Sequence, residues 1–281
     1  MTNGGFTGWL AGLSDAALVA FVFVMMAGVA IAGQAIRYLT KAGGEKDHSQ
    51  EGYLLGSTLG FLALLMAFSF GMSLNRYEER RHLVIQEANA IGTAYLRAQL
   101  LDEPFRARLS SLLPQYVDNR IALGTGAHSG LAGQLQLNDR LLTDIWGTVT
   151  AARDSAAAHG ISTPILMSYN EVIDLDTERK VARQLRLPAA LLLLLCGFLI
   201  ITSAVLGYVL EERRAKIGAF VLFFLLSLYV GMIADLSRPV GGFVEESQEP
   251  MVMLQGALRA QPPAAFDTFN APREAEARDG R

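Results

Sequence analysis

Four blocks of apolar residues, each long enough to cross a bilayer, stand in two pairs around a long polar insert. The first pair covers Ala16–Ile36 and Gly52–Leu74, and the second covers Pro188–Leu210 and Ile217–Ala234. A helix needs about 17–25 apolar residues to cross hydrocarbon, and every block reaches that length. A bundle of such helices acts on something in or across the membrane. An apolar share of 51% is close to that of a globular chain, so the concentration into four blocks carries the signal.

The rest of the composition excludes more than it suggests. A formal charge of -3 argues against a general nucleic-acid binder. Cys196 is the sole cysteine, which rules out an intramolecular disulfide. His48, His82, His128 and His159 are scattered without a ligand pattern, so neither a metal nor a cofactor is expected. Met1–Asp15 holds no Lys or Arg, so the first block reads as a retained span rather than a signal peptide.

The chain divides into a first helix pair (1–74), an insert (75–187), a second pair (188–234), a packing segment (235–260) and a disordered tail (261–281). Four crossings place both termini and the insert on one side. Arg76, Arg80, Arg81, Arg179, Lys180, Arg183, Arg186 and Arg238 flank the spans there, against Arg37, Lys41, Lys46, Arg213, Arg214 and Lys216 opposite. The excess of Lys and Arg puts the insert side in the cytoplasm.

The insert reads as helical. Arg80–Leu101 lacks proline and carries Leu83, Ala90, Ala94 and Leu101 on one face. Asp102-Glu103-Pro104 opens a second helix that Pro114 is expected to interrupt. Glycines at 124, 126 and 130 mark a loose stretch, a third helix follows over Asn138–Ala158, and Ser162 or Thr163 caps a fourth.

Two stretches carry a family likeness. Phe68-Ser69-Phe70-Gly71-Met72-Ser73-Leu74-Asn75-Arg76-Tyr77-Glu78-Glu79-Arg80-Arg81 runs on into Glu87-Ala88-Asn89-Ala90-Ile91-Gly92-Thr93-Ala94-Tyr95-Leu96-Arg97. Asn170-Glu171-Val172-Ile173-Asp174 and Asp235-Leu236-Ser237-Arg238-Pro239 accompany it. Together they resemble a bacterial family of membrane proteins described as bestrophin-like, related more distantly to the bestrophin ion channels. The resemblance implies an all-α membrane protein with four transmembrane helices and a helical cytosolic domain. It further implies a homo-oligomer of five subunits in a bacterial inner membrane, conducting inorganic ions passively through a neck lined by the second helix. Val240 stands where the bestrophin pattern has phenylalanine, and the dense acidic calcium clasp of animal members is not evident.

Candidate residues follow. Gly52, Gly56 and Gly60 recur every four residues and suit close helix packing. Leu64, Phe68 and Met72 share a helical face with Phe61 near it, forming a candidate apolar constriction, and Asn75 and Arg76 sit at its mouth. Glu79, Arg80, Glu87, Asn89, Glu171, Asp174 and Arg179 form a candidate charged network between the helix after span two and the one before span three. Arg238 and Pro239 mark the membrane exit, near lipid headgroups. No catalytic constellation stands out. The competing reading is a non-conducting scaffold or regulatory protein that binds a partner through the insert.

Cysteines introduced at Asn75 and Leu187 are expected to label from the same face of the membrane. Labelling from opposite faces would overturn the four-span layout.

Overall fold

A computed structural model describes residues 14–39, 48–125, 130–185, 188–210, 212–238 and 242–270. Among these the chain is helical, with no strand. In order the helices are α1 (Asp15–Leu39), α2 (His48–Ala98), α3 (Phe105–Gly124), α4 (Leu131–Ala151), α5 (Arg153–Ala158), α6 (Ser162–Gln184), α7 (Ala189–Val209), α8 (Arg213–Leu236), α9 (Glu249–Ala260) and α10 (Ala264–Asn270). Helix is what hydrocarbon demands, since each spanning segment must satisfy its own backbone there.

Two compact units emerge, Met1–Glu78 with Leu185–Val244 and Glu79–Gln184 with Glu245–Arg281. The 51 residues of α2 far exceed the roughly 20 that a bilayer requires. Its apolar first part belongs to the first unit and its polar second part to the second. The expected packing segment 235–260 is likewise shared, with Asp235–Val244 in the first unit and Glu245 onward in the second.

In the first unit α1 packs along both α7 and α8. Leu18, Val22 and Met26 of α1 meet Leu62 and Met66 of α2, Leu195, Leu199 and Leu206 of α7, and Phe223 of α8. Small residues let α1 and α7 approach backbone to backbone. A Cβ on Gly33 would lie 2.4 Å from the Ala204 carbonyl oxygen, and one on Gly207 would overlap the Ala30 carbonyl. At Gly52, Gly56 and Gly60 a Cβ would meet open space, so within one chain the expected glycine ridge makes no close approach. Buried hydroxyls bond back to their own helices, Ser203 to the Leu199 carbonyl and Ser227 to the Phe223 carbonyl, each at 2.7 Å. Those two hydroxyl hydrogens are thereby satisfied away from water.

Arg37, in the last turn of α1, donates to the carbonyls of Tyr208 and Val209, the latter at 3.0 Å. Its guanidinium also lies over the Tyr208 ring. A cation thereby satisfies carbonyls that the end of α7 leaves without helical partners.

The second unit closes around Val84, Ile91, Leu109, Leu113, Tyr116, Ile145, Ile165, Tyr169 and Val172. Helix α3 runs unbroken through Pro114, contrary to the expected interruption. Proline inside a helix costs about 3 kcal/mol. Here Leu112, Leu113, Tyr116 and Val117 are all buried around it, and that packing outweighs the lost hydrogen bond. The third insert helix begins at Leu131, earlier than expected, and Ser162 is already helical rather than a cap. Where a loose tail was expected from Gln261, α10 forms instead. Tyr95 donates to the Gln261 carbonyl at 2.7 Å, and Arg106 pairs with Asp267 at 2.6 Å. Residues 271–281 lie outside the described residues.

Gly207→Ala is expected to destabilise the membrane unit by about 2 kcal/mol, as overpacking does, whereas Gly28→Ala, where a Cβ meets open space, does not destabilise it. Thermal unfolding of both variants in detergent micelles tests the contrast.

Candidate functional site

Helix α2 divides its side chains sharply. Leu62, Met66, Ser69 and Ser73 point into their own unit and are buried. Leu64 and Phe68 point out of the chain, at 60% and 68% exposure. Phe61 is also exposed but stacks on Phe198 of α7, ring centroids 5.0 Å apart, so it is partly engaged within the chain. Met72 and Arg76 are half-buried, and Asn75 is exposed. Outward apolar side chains such as Ile31, Ile201 and Val221 also occur on the other spanning helices, as lipid contact requires. What sets α2 apart is that its outward face turns from Leu64 and Phe68 to the polar Asn75 without leaving the helix.

At the end of α8 the buried Asp235 carboxylate accepts the backbone N–H groups of Phe243 at 2.6 Å and Val244 at 2.9 Å. A Cβ on Gly242 would fall 2.3 Å from that carboxylate, so the corner requires glycine. Arg238 pairs with Asp15 at 2.7 Å, tying the end of α8 to the start of α1. The Ser237 and Ser73 hydroxyls meet at 3.1 Å. Arg238 thus has a protein partner, and Pro239 lies outside the described residues.

The second unit buries an ionic core. Glu87 of α2, fully enclosed, accepts hydrogen bonds from Tyr116 at 2.8 Å and Arg120 at 3.1 Å, both on α3. Arg179 of α6 donates to the same carboxylate. Arg120 also reaches Asp176 of α6 at 2.9 Å, and Asn138 of α4 donates to Asp176 at 3.1 Å. Arg179 continues to Glu246 at 3.2 Å, and Arg183 lies 3.6 Å from the other Glu246 oxygen. Lys180 closes the edge on Asp176 at 2.8 Å. Arginine suits these places because its planar fork donates to several acceptors at once.

The charges hold one another in place. Burial alone would push the Glu87 carboxyl up, yet Arg120 and Arg179 hold it below its usual range. Burial raises the Tyr116 phenol well above its ordinary value, and the Glu87 charge adds to that. Burial likewise lowers Arg183, helped by the charges of Arg179 and Arg120 and opposed by Glu246.

Of the expected network residues, the structure brings Glu87 and Arg179 together and buries Arg80. Glu79, Asn89, Glu171 and Asp174 are exposed and stand outside the buried cluster. Sequence reasoning missed Arg120, Asn138, Asp176, Glu246 and Gln248. A signal was available for two of them. Arg120 continues the apolar stripe Leu109, Leu113, Tyr116, and Asp176 continues Ile165, Tyr169, Val172, each at three- or four-residue steps. A charge on a core stripe must find a buried partner.

Four helices of spanning length and a helical unit with a sealed ionic core define a multi-pass, all-α membrane protein. Its family can be stated as well. The bestrophin-like domain matches residues 20–251, and the chain belongs to the bestrophin-like family. No curated protein and no solved structure matches it.

Glu87→Gln leaves Arg120 and Arg179 facing a neutral group and is expected to cost about 3–5 kcal/mol, the usual range for breaking a buried ion pair. Urea unfolding of the full-length protein in micelles, followed by Trp146 fluorescence in a Trp9→Phe background, reads that loss. Because the folded Glu87 carboxyl sits below its usual range, its stabilisation is complete at neutral pH and lost as acid protonates it. The acid-induced drop should be smaller in the Gln variant.

Proposed function

We propose that the protein is a passive ion channel, built from several copies arranged around the outward face of α2, with Leu64 and Phe68 forming its hydrophobic neck. The observation that carries this reading is the placement of these two large side chains. Both sit on the helix that runs from the membrane unit into the second unit, and both face away from their own chain. Rings of such side chains narrow a water path and gate it by dewetting. Met72 continues their line and Phe61 flanks it, while Asn75 and Arg76 follow at the polar mouth.

Membership of the bestrophin-like family supports a channel-type function. The five-subunit arrangement comes with the resemblance to bestrophins, as does a bacterial inner membrane with the insert in the cytoplasm. The open positions at Gly52, Gly56 and Gly60 suit close approach of neighbouring copies near one end of α2. An ion gradient or membrane potential drives conduction, so no cofactor is needed. The buried ionic core has no part in conduction in this reading; it fixes the second half of α2 in its unit.

Purified protein in liposomes is expected to carry ion flux. Phe68→Ala and Leu64→Ala should each change unitary conductance by about twofold or more. Ile201→Ala, an outward position on α7, should leave it unchanged. Unaltered currents in both neck variants would remove those side chains from the constriction. A protein without flux at any voltage, pH or ion gradient would be the non-conducting scaffold instead.

A further inference from the structure

Among the described residues Phe243 is the most exposed of the large apolar side chains, at 95%. Its backbone is nonetheless fixed. The buried Asp235 carboxylate takes the N–H of Phe243 on one oxygen and that of Val244 on the other, and the corner before them admits only glycine at 242. A ring on a fixed backbone, almost none of it covered by its own chain, is preorganised for a surface outside the chain.

The level of that ring follows from α8. Its first turn carries the exposed Arg213 and Arg214, whose charges keep it out of hydrocarbon. Outward apolar side chains begin at Ile217 and continue through Phe220, Phe224, Leu228 and Met232. Hydrocarbon takes up about 20 helical residues, and that count from Ile217 ends at Leu236. Asp235, which grips the Phe243 backbone, is therefore level with the far edge of the hydrocarbon. Arg238 and Asp15 pair at 2.7 Å at this end of α8, marking where the polar layer starts. Water, lipid headgroups and the upper acyl chains all meet at that level. A phenyl ring has no hydrogen-bonding group, so only the acyl chains improve on its exposed state.

We propose that Phe243 is an interfacial lipid anchor. Its ring enters the upper acyl chains of the leaflet on the insert side, continuing the lipid-facing surface of α8, and Asp235 acts as the positioning residue that holds it there. Val244 is the last residue of the membrane unit, so the anchor sets the depth at which the chain leaves that unit. The anchor depends on the four-span layout and is independent of whether the protein conducts.

Phe243→Trp, combined with Trp9→Phe and Trp146→Phe, leaves one indole in the full-length protein, which is reconstituted in phosphatidylcholine vesicles. Bromine placed high on the acyl chains is expected to cut the emission by about half or more, bromine near the chain ends to cut it less, and iodide in the buffer to change it little. Quenching by iodide without quenching by bromine would put the ring in water. Protection from both would put it under a neighbouring copy. Either result overturns the anchor.

Asp235→Asn in the same background keeps one acceptor oxygen for two N–H groups. It should weaken quenching by the high bromines and raise quenching by iodide, with an unchanged size-exclusion profile. An unchanged depth would remove Asp235 as the positioning residue. If the indole variant fails to fold, a nitroxide on Phe243→Cys in a Cys196→Ala background reads the same depth. Its relaxation by oxygen should exceed that by a water-soluble nickel complex, and the opposite order would overturn the anchor.

Discussion

Glu87 accepts from Tyr116, Arg120 and Arg179, donors that come from two other helices. The second half of α2 therefore cannot rotate or slide by one residue without leaving a buried charge unpaired. Buried ion networks stabilise little compared with an apolar core of the same volume, but they make alternative registers costly. The face that α2 turns outward is fixed by what it turns inward. Val84, Glu87 and Ile91 point into the unit, which leaves His82, Asn89 and Leu96 outside.

The same division operates where α2 is apolar. Ser69 and Ser73 return their hydroxyl hydrogens to their own helix and lie buried beside Met66 and Leu62. Leu64 and Phe68 are left to whatever surrounds the chain. In hydrocarbon an outward leucine gains nothing by meeting another leucine, so association there relies on packing and small residues. Gly52, Gly56 and Gly60, with open space above them, lie toward the start of the helix, and the polar positions lie beyond Leu74.

Much of the fold was legible because hydrophobic length is a strong signal and no competing one interferes. Four apolar blocks became four spanning helices, and the insert proved helical as its periodicity indicated. The errors arose where tertiary packing overruled a local rule. Pro114 reads as a breaker, yet a fully buried flank holds the helix through it. Gly33 and Gly207, far apart in sequence, make the close approach within the chain and carry no local signal of it, since only the fold brings α1 and α7 together. The charged network was half legible. Arg179 and Glu87 stand out in the sequence, but the exposed Glu171 and Asp174 are indistinguishable from them there, since charges at helical spacing look alike on either face. Glu246 and Gln248 precede α9 in an irregular segment that has no periodicity to reveal which side is inward.

Arg37 has a consequence for how the chain is made. The carbonyls it caps at the end of α7 lie 171 residues or more further along. At ordinary translation speeds of about 5–20 residues per second, roughly ten to thirty seconds separate the two. For that interval the first span rests among lipids without the neighbour that its glycine was shaped to meet. The membrane unit is therefore completed after translation of the insert, not before it.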